Sequence, residues 1–497
     1  MKRKINLLAG EPNDANRDYL PEAIKGSRMV VNENGNSSQV YPARLQEFCE
    51  SVTDDGLTDT WYEYVPVSYD PAKKTPLVFS MHGGLMTGWG QCIYTSWTHI
   101  ADREGFICVF PNAHVKRMWM IECDPNTIDE LSQPMPEGIP SLNKPTGTVE
   151  EYHDVQLVLA LLKRMKERYN IDEGRVFMQG MSMGDCMTSQ VARYCGMHFA
   201  ATAGSGCPTN PLLLFAPDGS VINKGGAMDI WQSRLEHDKT PFHYGLDDRT
   251  VVRANLDYWK RINEADVLPL ISLQGEKNYA FYRGNKANVV LMDVKNRDHG
   301  QTFDDAEMVW DFLFSGVRKE PDGTLVHTPT LSRQAGDAAA IAVCEGAGRA
   351  WLNGAVVPLS APVVRWEKLK YHGLNGDQIV RGSYLCVPVD FFAQAFGGAI
   401  AADAVGRRAQ LTMPDGRVFT FAEGCIGCVV DNRIEAMLCE CIFRNGALYA
   451  SLEWFCRFAM NWQVSEYDGV LYATDHYSVL SRYMSWLFQD MLCADGE

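Results

Sequence analysis

Along the first two-thirds of the chain, short apolar runs alternate with stretches whose apolar residues recur every three or four positions. "TWYEYVPV" (60–67) spaces its apolar side chains by two, the period of a half-buried strand. "PLVFSM" (76–81) and "FICVF" (106–110) are continuous apolar runs, as in strands covered on both faces. Between them, "SWTHIADREG" reads as a helix closed by a glycine. Residues 151–169 predict an amphipathic helix, with Val155, Val158, Leu159, Leu162 and Met165 on one face and Lys163, Lys166 and Glu167 away from it. "RVFMQG" (175–180) predicts a strand, 182–195 a helix, and "FAATAGSG" (199–206) another strand. Residues 208–260 have no readable period and are expected to be an insertion or lid over one end of the sheet. "LPLISLQG" (268–275) and "ANVVLMDV" (287–294) return to strands, and "DDAEMVWDFLF" (304–314) closes as a helix. Strands alternating with helices predict an α/β domain over 59–316, a mostly parallel sheet with helices on both faces.

The grammar differs on either side of that domain. Residues 1–58 are polar, carry "NENGNSS", and are expected to be a loose lead-in. Residues 317–340 are charged and rich in Pro, Gly, Ser and Thr, the composition of a linker. Beyond them come hairpin signals, "LNGA", "MPDGR" and "RNGA", and an internal repeat. "LCVPVDFFAQAFGGAI" (385–400) matches "LYASLEWFCRFAMNWQ" (448–463) at an offset of about 63 residues. Leu385 aligns with Leu448, Asp390 with Glu453, Phe391 with Trp454 and Phe392 with Phe455. Each copy predicts a strand running into a short helix, so 341–476 is expected to be an α+β repeat domain. A C-terminal amphipathic helix, "SVLSRYMSWLFQDML", follows within 477–497.

Composition narrows the classes of partner. A formal net charge of −16 argues against nucleic acid or an anionic membrane, which both need a basic surface. No window approaches the ~20 apolar residues of a membrane span. The 15 cysteines are odd in number and scattered through apolar segments. That usage fits a reducing compartment, with thiols as small core residues, and with the absence of a leader-like run it predicts a cytoplasmic protein unless a leader was trimmed.

Candidate chemistry centres on Gly180-Met181-Ser182-Met183-Gly184, a G-x-S-x-G between a predicted strand and a predicted helix. A strand turning sharply into a helix strains its middle residue, and flanking glycines leave room for the crossing chains. The hydroxyl of Ser182 then stands beside a helix N-terminus, where developing negative charge is favoured. "MHGGL" (81–85) follows the 76–81 strand, and amides from such a loop and from the residue after the nucleophile form an oxyanion hole. Those donors are Gly84 and Met183. The base is expected after the last strand, where His299 stands in "KNRDHGQTF"; His82 and His153 are read as structural. The acid is expected after 268–275, in "QGEKNYAFY", where Asn278 occupies the usual acid position. Glu276 is preferred to orient His299, with Asn278 itself, Asp298 or Asp304 as alternatives. An amide in place of the aspartate costs on the order of 10⁴ in kcat in the serine proteases.

Residues 60–315 resemble the α/β-hydrolase esterases grouped with poly(3-hydroxybutyrate) depolymerases, feruloyl esterases and acetylxylan esterases. "YVPVSYDPAKKTPLVFSMHGG", "IADREGFICVFPNA", "YNIDEGRVFMQGMSMG" and "DHGQTFDDAEMVWDFLF" carry the resemblance. It implies an α/β-hydrolase fold, Ser182 as nucleophile, His299 as base, and Gly84 with Met183 as oxyanion donors; Asn278 departs from the pattern. Residues 341–476 resemble the copper amine oxidase N-terminal-like domain through "LNG…VPL…VPVDFFAQAFGGAIAAD". The module is not itself a copper site, and is expected to serve attachment, packing or homo-oligomerisation.

The expected function is therefore a serine esterase acting on feruloyl, acetyl or hydroxyalkanoate esters, small or polymer-derived, with no cofactor. A peptidase or acyltransferase on the same fold, and a non-catalytic scaffold with a degenerate hydrolase domain, are the alternatives. Cys425-x-x-Cys428 with Cys439-x-Cys441 has unsuitable spacing for zinc, and no metal site is expected. Met178, Met181, Met183 and Met187 suit either an acyl pocket or a buried strand–helix junction. Trp89, Trp97 and Trp119 suit either stacking on substrate or packing.

Overall fold

Every residue of Thr75–Met81 is buried, as its largely apolar run predicts, and the hydroxyl of Ser80 within it donates to Gln179 Oε1. The computed structural model describes residues 4–7, 38–115, 117–124, 128–129, 144–241, 244–328, 336–368 and 379–493. Most of the expected lead-in, and residues 329–335 of the expected linker, lie outside the described residues. The chain divides into two units. The first comprises residues up to 267, 281–292 and 296–334; the second comprises 268–280, 293–295 and 335–497.

The sheet of the first unit is built from β1 (Leu45–Glu50), β2 (Asp59–Tyr64), β3 (Thr75–Met81), β4 (Ile107–Pro111), β5 (Ile171–Met181), β6 (Ala201–Ser205), β7 (Asp229–Leu235) and, after β8 (Leu270–Gln274) and β9 (Lys277–Tyr282), the first four residues of β10 (Val289–Val294). Their spatial order is β1-β2-β4-β3-β5-β6-β7-β10. β1, β2 and β4 pair antiparallel, and the pairs from β4 through β3, β5 and β6 to β7 are parallel. The helices are α1 (Gly88–Tyr94), α2 (Trp97–Glu104), α3 (His153–Arg168), α4 (Met183–Cys195), α5 (Asp248–Asn263) and α6 (Asp305–Phe312). In α3, Val155, Val158, Leu162 and Met165 are buried as their spacing predicts, but Leu161 rather than Leu159 completes the face. The strand order and the sharp β5-to-α4 turn are those of the α/β-hydrolase fold.

Three stretches differ from the sequence expectation. β1 is a strand inside the polar lead-in, paired from Leu45↔Tyr64 to Glu50↔Asp59. Residues 208–260 are not an insertion: they supply β7, which pairs with β6 from Ala201↔Asp229 to Ser205↔Ser233, and most of α5. β7 reads "DIWQSRL" and is buried throughout, and distant partners satisfy the polar side chains of Asp229 and Ser233. Asp229 accepts from the Asn288 amide at 2.7 Å and faces His327 Nε2 at 2.8 Å; Ser233 Oγ donates to Asp305 at 3.1 Å. The inserted strands are instead β8 and β9, between α5 and β10. Finally, the start of the expected linker is a hairpin, β11 (Val317–Lys319) with β12 (Leu325–His327), anchored by Lys319 Nζ on the Gly196 carbonyl at 2.7 Å.

The second unit carries the repeat. Among the described residues it contains three antiparallel sheets of five, four and five strands. Gly382–Pro388 runs into α7 (Asp390–Phe396), and Ala447–Ser451 into α8 (Leu452–Met460); α9 (Arg482–Cys493) ends the described chain. The two strands pair antiparallel, Cys386↔Ser451, Val387↔Ala450 and Pro388↔Tyr449. Val387 and Ala450 are the equivalent residues of the two copies, so a local pseudo-twofold axis passes between them. Phe392 and Phe455, also equivalent, stack with ring centroids 4.0 Å apart and 7° between planes. Of the four cysteines weighed for zinc, Cys428, Cys439 and Cys441 are buried and Cys425 is exposed.

Candidate active site

β3, β5 and β6 end level with one another, Met81 opposite Gly180 and Met181 opposite Ser205. The crevice beyond such strand ends is where open α/β sheets bind ligands. Ser182 is the next residue after β5. Its backbone has φ 56° and ψ −122°, a conformation costly for a residue with a side chain. It is held there by its amide, which donates to the Ser205 carbonyl at 2.8 Å, and by its carbonyl, which accepts from the Asp185 amide at 2.8 Å. The flanking glycines are sterically required. A Cβ on Gly180 would lie 2.0 Å from the Gly184 carbonyl oxygen, and one on Gly184 would lie 2.2 Å from that of Met81.

The structure brings Ser182 and His299 together, with Nε2 2.8 Å from Oγ. The carboxylate on the other side of the ring is Asp238, whose Oδ1 and Oδ2 lie 3.0 and 3.1 Å from Nδ1. Asp238 follows β7, where its amide donates to the Leu235 carbonyl and the neighbouring His237 amide donates to the Arg297 carbonyl. The loops that carry Asp238 and His299 are thus tied to one another. Ser205 Oγ donates to the Gly300 carbonyl at 2.7 Å, the Gln301 amide donates to Tyr94 Oη at 2.9 Å, and Gln179 Nε2 donates to Gln301 Oε1 at 2.7 Å. Gly206, at φ +85°, leaves space for the ring: a Cβ there would come within 3.1 Å of His299 Cε1.

Neither Glu276 nor Asn278 supplies this carboxylate; both belong to the second unit. Asn278 is buried, its Nδ2 donating to the Val479 carbonyl at 2.9 Å and its Oδ1 accepting from the Ser481 amide at 3.0 Å. Asp298 is exposed beside His299, and Asp304 stands at the N-terminus of α6. Asp238 was hidden because β7 does not look like a strand. Had "DIWQSRL" been taken as one, the acid three residues after it, in "LEHD", would have been the natural candidate.

The "HGG" loop lies against Ser182: a Cβ on Gly83 would sit 3.4 Å from Ser182 Cβ, and one on Gly84 3.0 Å from Met183 Sδ. Met183 opens α4, so its amide is among those a helix N-terminus leaves without an intrahelical partner. His82 fixes this loop. Its Nε2 accepts from the Ala113 amide at 2.9 Å, so Nδ1 carries the proton toward the Gly83 carbonyl at 2.6 Å. Burial pushes its pKa down to about 4, against the pull of that carbonyl, so the ring is neutral. Trp119 Nε1 donates to the His82 carbonyl at 2.7 Å, and Trp97 Nε1 to Gln179 at 3.0 Å; both indoles are buried. Met178, Met181 and Met187 are buried as well, whereas Met183 remains partly exposed beside Ser182.

Two carboxylates, Asp238 and Asp185, act on the His299 imidazole, and Arg234 lies beside the second. Burial alone would lower the pKa of His299, but the hydrogen bond and charge of Asp238, with the charge of Asp185, raise it above its ordinary value. Asp185, one turn into α4, is buried. Desolvation lifts its carboxyl to about 7, against the opposing effects of Arg234 and the Cys207 amide that donates to it at 3.0 Å. Serine, imidazole and carboxylate in hydrogen-bonded series, beside a helix N-terminus and a glycine loop, can activate a hydroxyl and hold a tetrahedral oxyanion.

Strand order and elbow together are those of the α/β-hydrolase fold. The chain is 27% identical over 263 residues to a bifunctional acetylxylan esterase/xylanase of Neocallimastix patriciarum, covering 50% of this chain and 32% of that protein. It is 26% identical over 185 residues to feruloyl esterase B of Thermothelomyces thermophilus, covering 34% of this chain and 55% of that one. The chain thus spans about a third and about half of the length of these curated relatives. Among solved structures, it is similar to an acetyl xylan esterase from Aspergillus awamori at 16% identity and a TM-score of 0.39, covering 55% of this chain and 98% of that one. A feruloyl esterase module from Clostridium thermocellum gives 14% identity and a TM-score of 0.33, covering 58% of this chain and 92% of that one. No family model matches the chain.

Proposed function

We propose that this chain is a serine esterase that hydrolyses carboxylic esters through an acyl-enzyme, with Ser182 as nucleophile, His299 as base and Asp238 as the orienting acid. The Asp238–His299–Ser182 series carries the reading. Ser182 Oγ attacks the ester carbonyl carbon as its proton passes to His299 Nε2. Asp238 holds Nδ1–H, which keeps Nε2 free to accept, and stabilises the imidazolium that forms. The amides of Gly84 and Met183 receive the oxyanion. His299 then returns its proton to the leaving alcohol, and water, deprotonated by the same nitrogen, releases the acid and restores Ser182.

The substrate class is an acetyl or feruloyl ester, which the names of the two curated relatives, an acetylxylan esterase and a feruloyl esterase, support. The second unit is a copper amine oxidase N-terminal-like repeat in this reading, serving attachment or packing; its internal pairing at Val387 and Ala450 supports a duplicated module. Hydrolysis of p-nitrophenyl acetate and methyl ferulate by the wild type and Ser182→Ala tests the proposal. Activity that vanishes in Ser182→Ala is expected; a wild type no faster than Ser182→Ala on both esters overturns it.

A further inference from the structure

Outside the crevice, two imidazoles converge on one buried carboxylate. Asp59, the first residue of β2, is 2% exposed. Its Oδ1 lies 2.8 Å from His114 Nδ1 and 2.9 Å from His153 Nε2. His114 is in the segment after β4, and His153 is the first residue of α3. The two rings are 4.3 Å apart at 57°, and one donor atom from each of the three residues lies within 4.8 Å of the others. Among the described residues this is the one group of three or more His, Cys, Asp and Glu so disposed.

Two further features mark it as more than a hydrogen-bonded cluster. The second oxygen of Asp59, Oδ2, is buried with no hydrogen-bond partner, an arrangement that is unfavourable when nothing fills it. His153 presents its other nitrogen, Nδ1, to Asp55 at 2.6 Å. A histidine that ligates a metal through one nitrogen characteristically donates from the other to a carboxylate, which fixes its tautomer.

We propose that Asp59, His114 and His153 bind a divalent transition-metal ion of the zinc class, with Asp55 as the outer carboxylate behind His153. Two neutral imidazoles and one carboxylate suit zinc and its neighbours rather than calcium or magnesium, which prefer all-oxygen sites. Tetrahedral bonds of about 2.0–2.1 Å set donor atoms about 3.3 Å apart, so the two separations from Asp59 Oδ1, 2.8 and 2.9 Å, need to open by about half an ångström, and the three donor atoms already lie within 4.8 Å of one another. A dication with Asp59 and Asp55 makes a neutral assembly, and three protein ligands leave a fourth position for water. The ion joins the start of β2, the segment after β4 and the start of α3. The middle segment is the one whose Ala113 amide bonds His82 and whose Trp119 bonds the His82 carbonyl. The site would therefore brace the back of the "HGG" loop without touching the nucleophile.

The test is metal binding by the full chain, stripped with a chelator. Zn²⁺ is followed by calorimetry, and Co²⁺ as a spectroscopic probe of the same site. One ion per chain is expected, with visible cobalt bands of a nitrogen and oxygen ligand set. Asp55→Asn should weaken binding about 10- to 100-fold, and His114→Ala and His153→Ala by more. If His153→Ala fails to fold, His114→Gln and Asp55→Asn carry the comparison. A wild type that takes up no Zn²⁺, or binding unchanged in the His114 and Asp55 variants, overturns the proposal. So does intense sulfur-to-cobalt charge transfer, which would put the ion on thiols such as Cys186 and Cys207, whose sulfurs are 2.8 Å apart.

Discussion

The carboxylate of Asp238 lies 3.0 Å from Nδ1 of His299, across 61 residues of sequence. Asp238→Asn therefore removes the charge and allows the imidazole the wrong tautomer. The expected fall in kcat is about 10⁴-fold, with KM little changed. Steady-state ester hydrolysis measures it.

Asn278→Ala should behave in the opposite way. It deletes a buried amide that serves both the Val479 carbonyl and the Ser481 amide. Stability should fall by about 1–3 kcal/mol, read by urea denaturation, while ester turnover by the folded enzyme stays within a few-fold of wild type.

The pH profile follows from the sign of the His299 shift. In the proposed mechanism the imidazole must be neutral to take the serine proton, and Asp238 raises its pKa above the ordinary 6.5. The acidic limb of kcat/KM should therefore lie above that value and move to lower pH in Asp238→Asn. Stability follows the same linkage: a raised folded-state pKa contributes stability at low pH, which is lost as pH rises through the folded value.

The strain at Ser182 is measurable apart from the proposed catalysis. Ser182→Ala and Ser182→Gly should both be inactive, but glycine adopts φ 56° without a Cβ penalty. Ser182→Gly should be more stable than Ser182→Ala by about 1 kcal/mol in thermal denaturation. Gly184→Ala, whose Cβ would sit 2.2 Å from the Met81 carbonyl, should not yield soluble protein.

In the second unit, Phe392→Ala and Phe455→Ala should each cost about 3–5 kcal/mol. Their rings stack at 4.0 Å, so the double variant should lose less than the sum of the two.

Legibility in the sequence followed the range of the interactions. Ser182, its glycines and the "HGG" loop announce themselves because an elbow and a glycine turn are local demands on a few consecutive residues. His299 was found by its place after a plainly apolar strand. Asp238 was not, because β7 owes its burial to partners far along the chain: His327 for Asp229 and Asp305 for Ser233. The more apolar "LPLISLQG" imitates the strand that β7 is, and so drew the acid to Glu276 and Asn278. The Asp59, His114 and His153 cluster was equally hidden, since its members come from three separate segments. The Phe392–Phe455 alignment was visible because duplication leaves a direct imprint that burial patterns do not.

The threading of the chain has a consequence for biosynthesis. Residues 268–280 belong to the second unit, yet Ser481, which bonds Asn278, lies 203 residues later. At 5–20 residues per second, a ribosome needs about 10–40 s between making one partner and the other. Throughout that interval Asn278 lacks both of its lasting partners, the Val479 carbonyl and the Ser481 amide, so the packing of 268–280 is completed only after the last part of the second unit has been made.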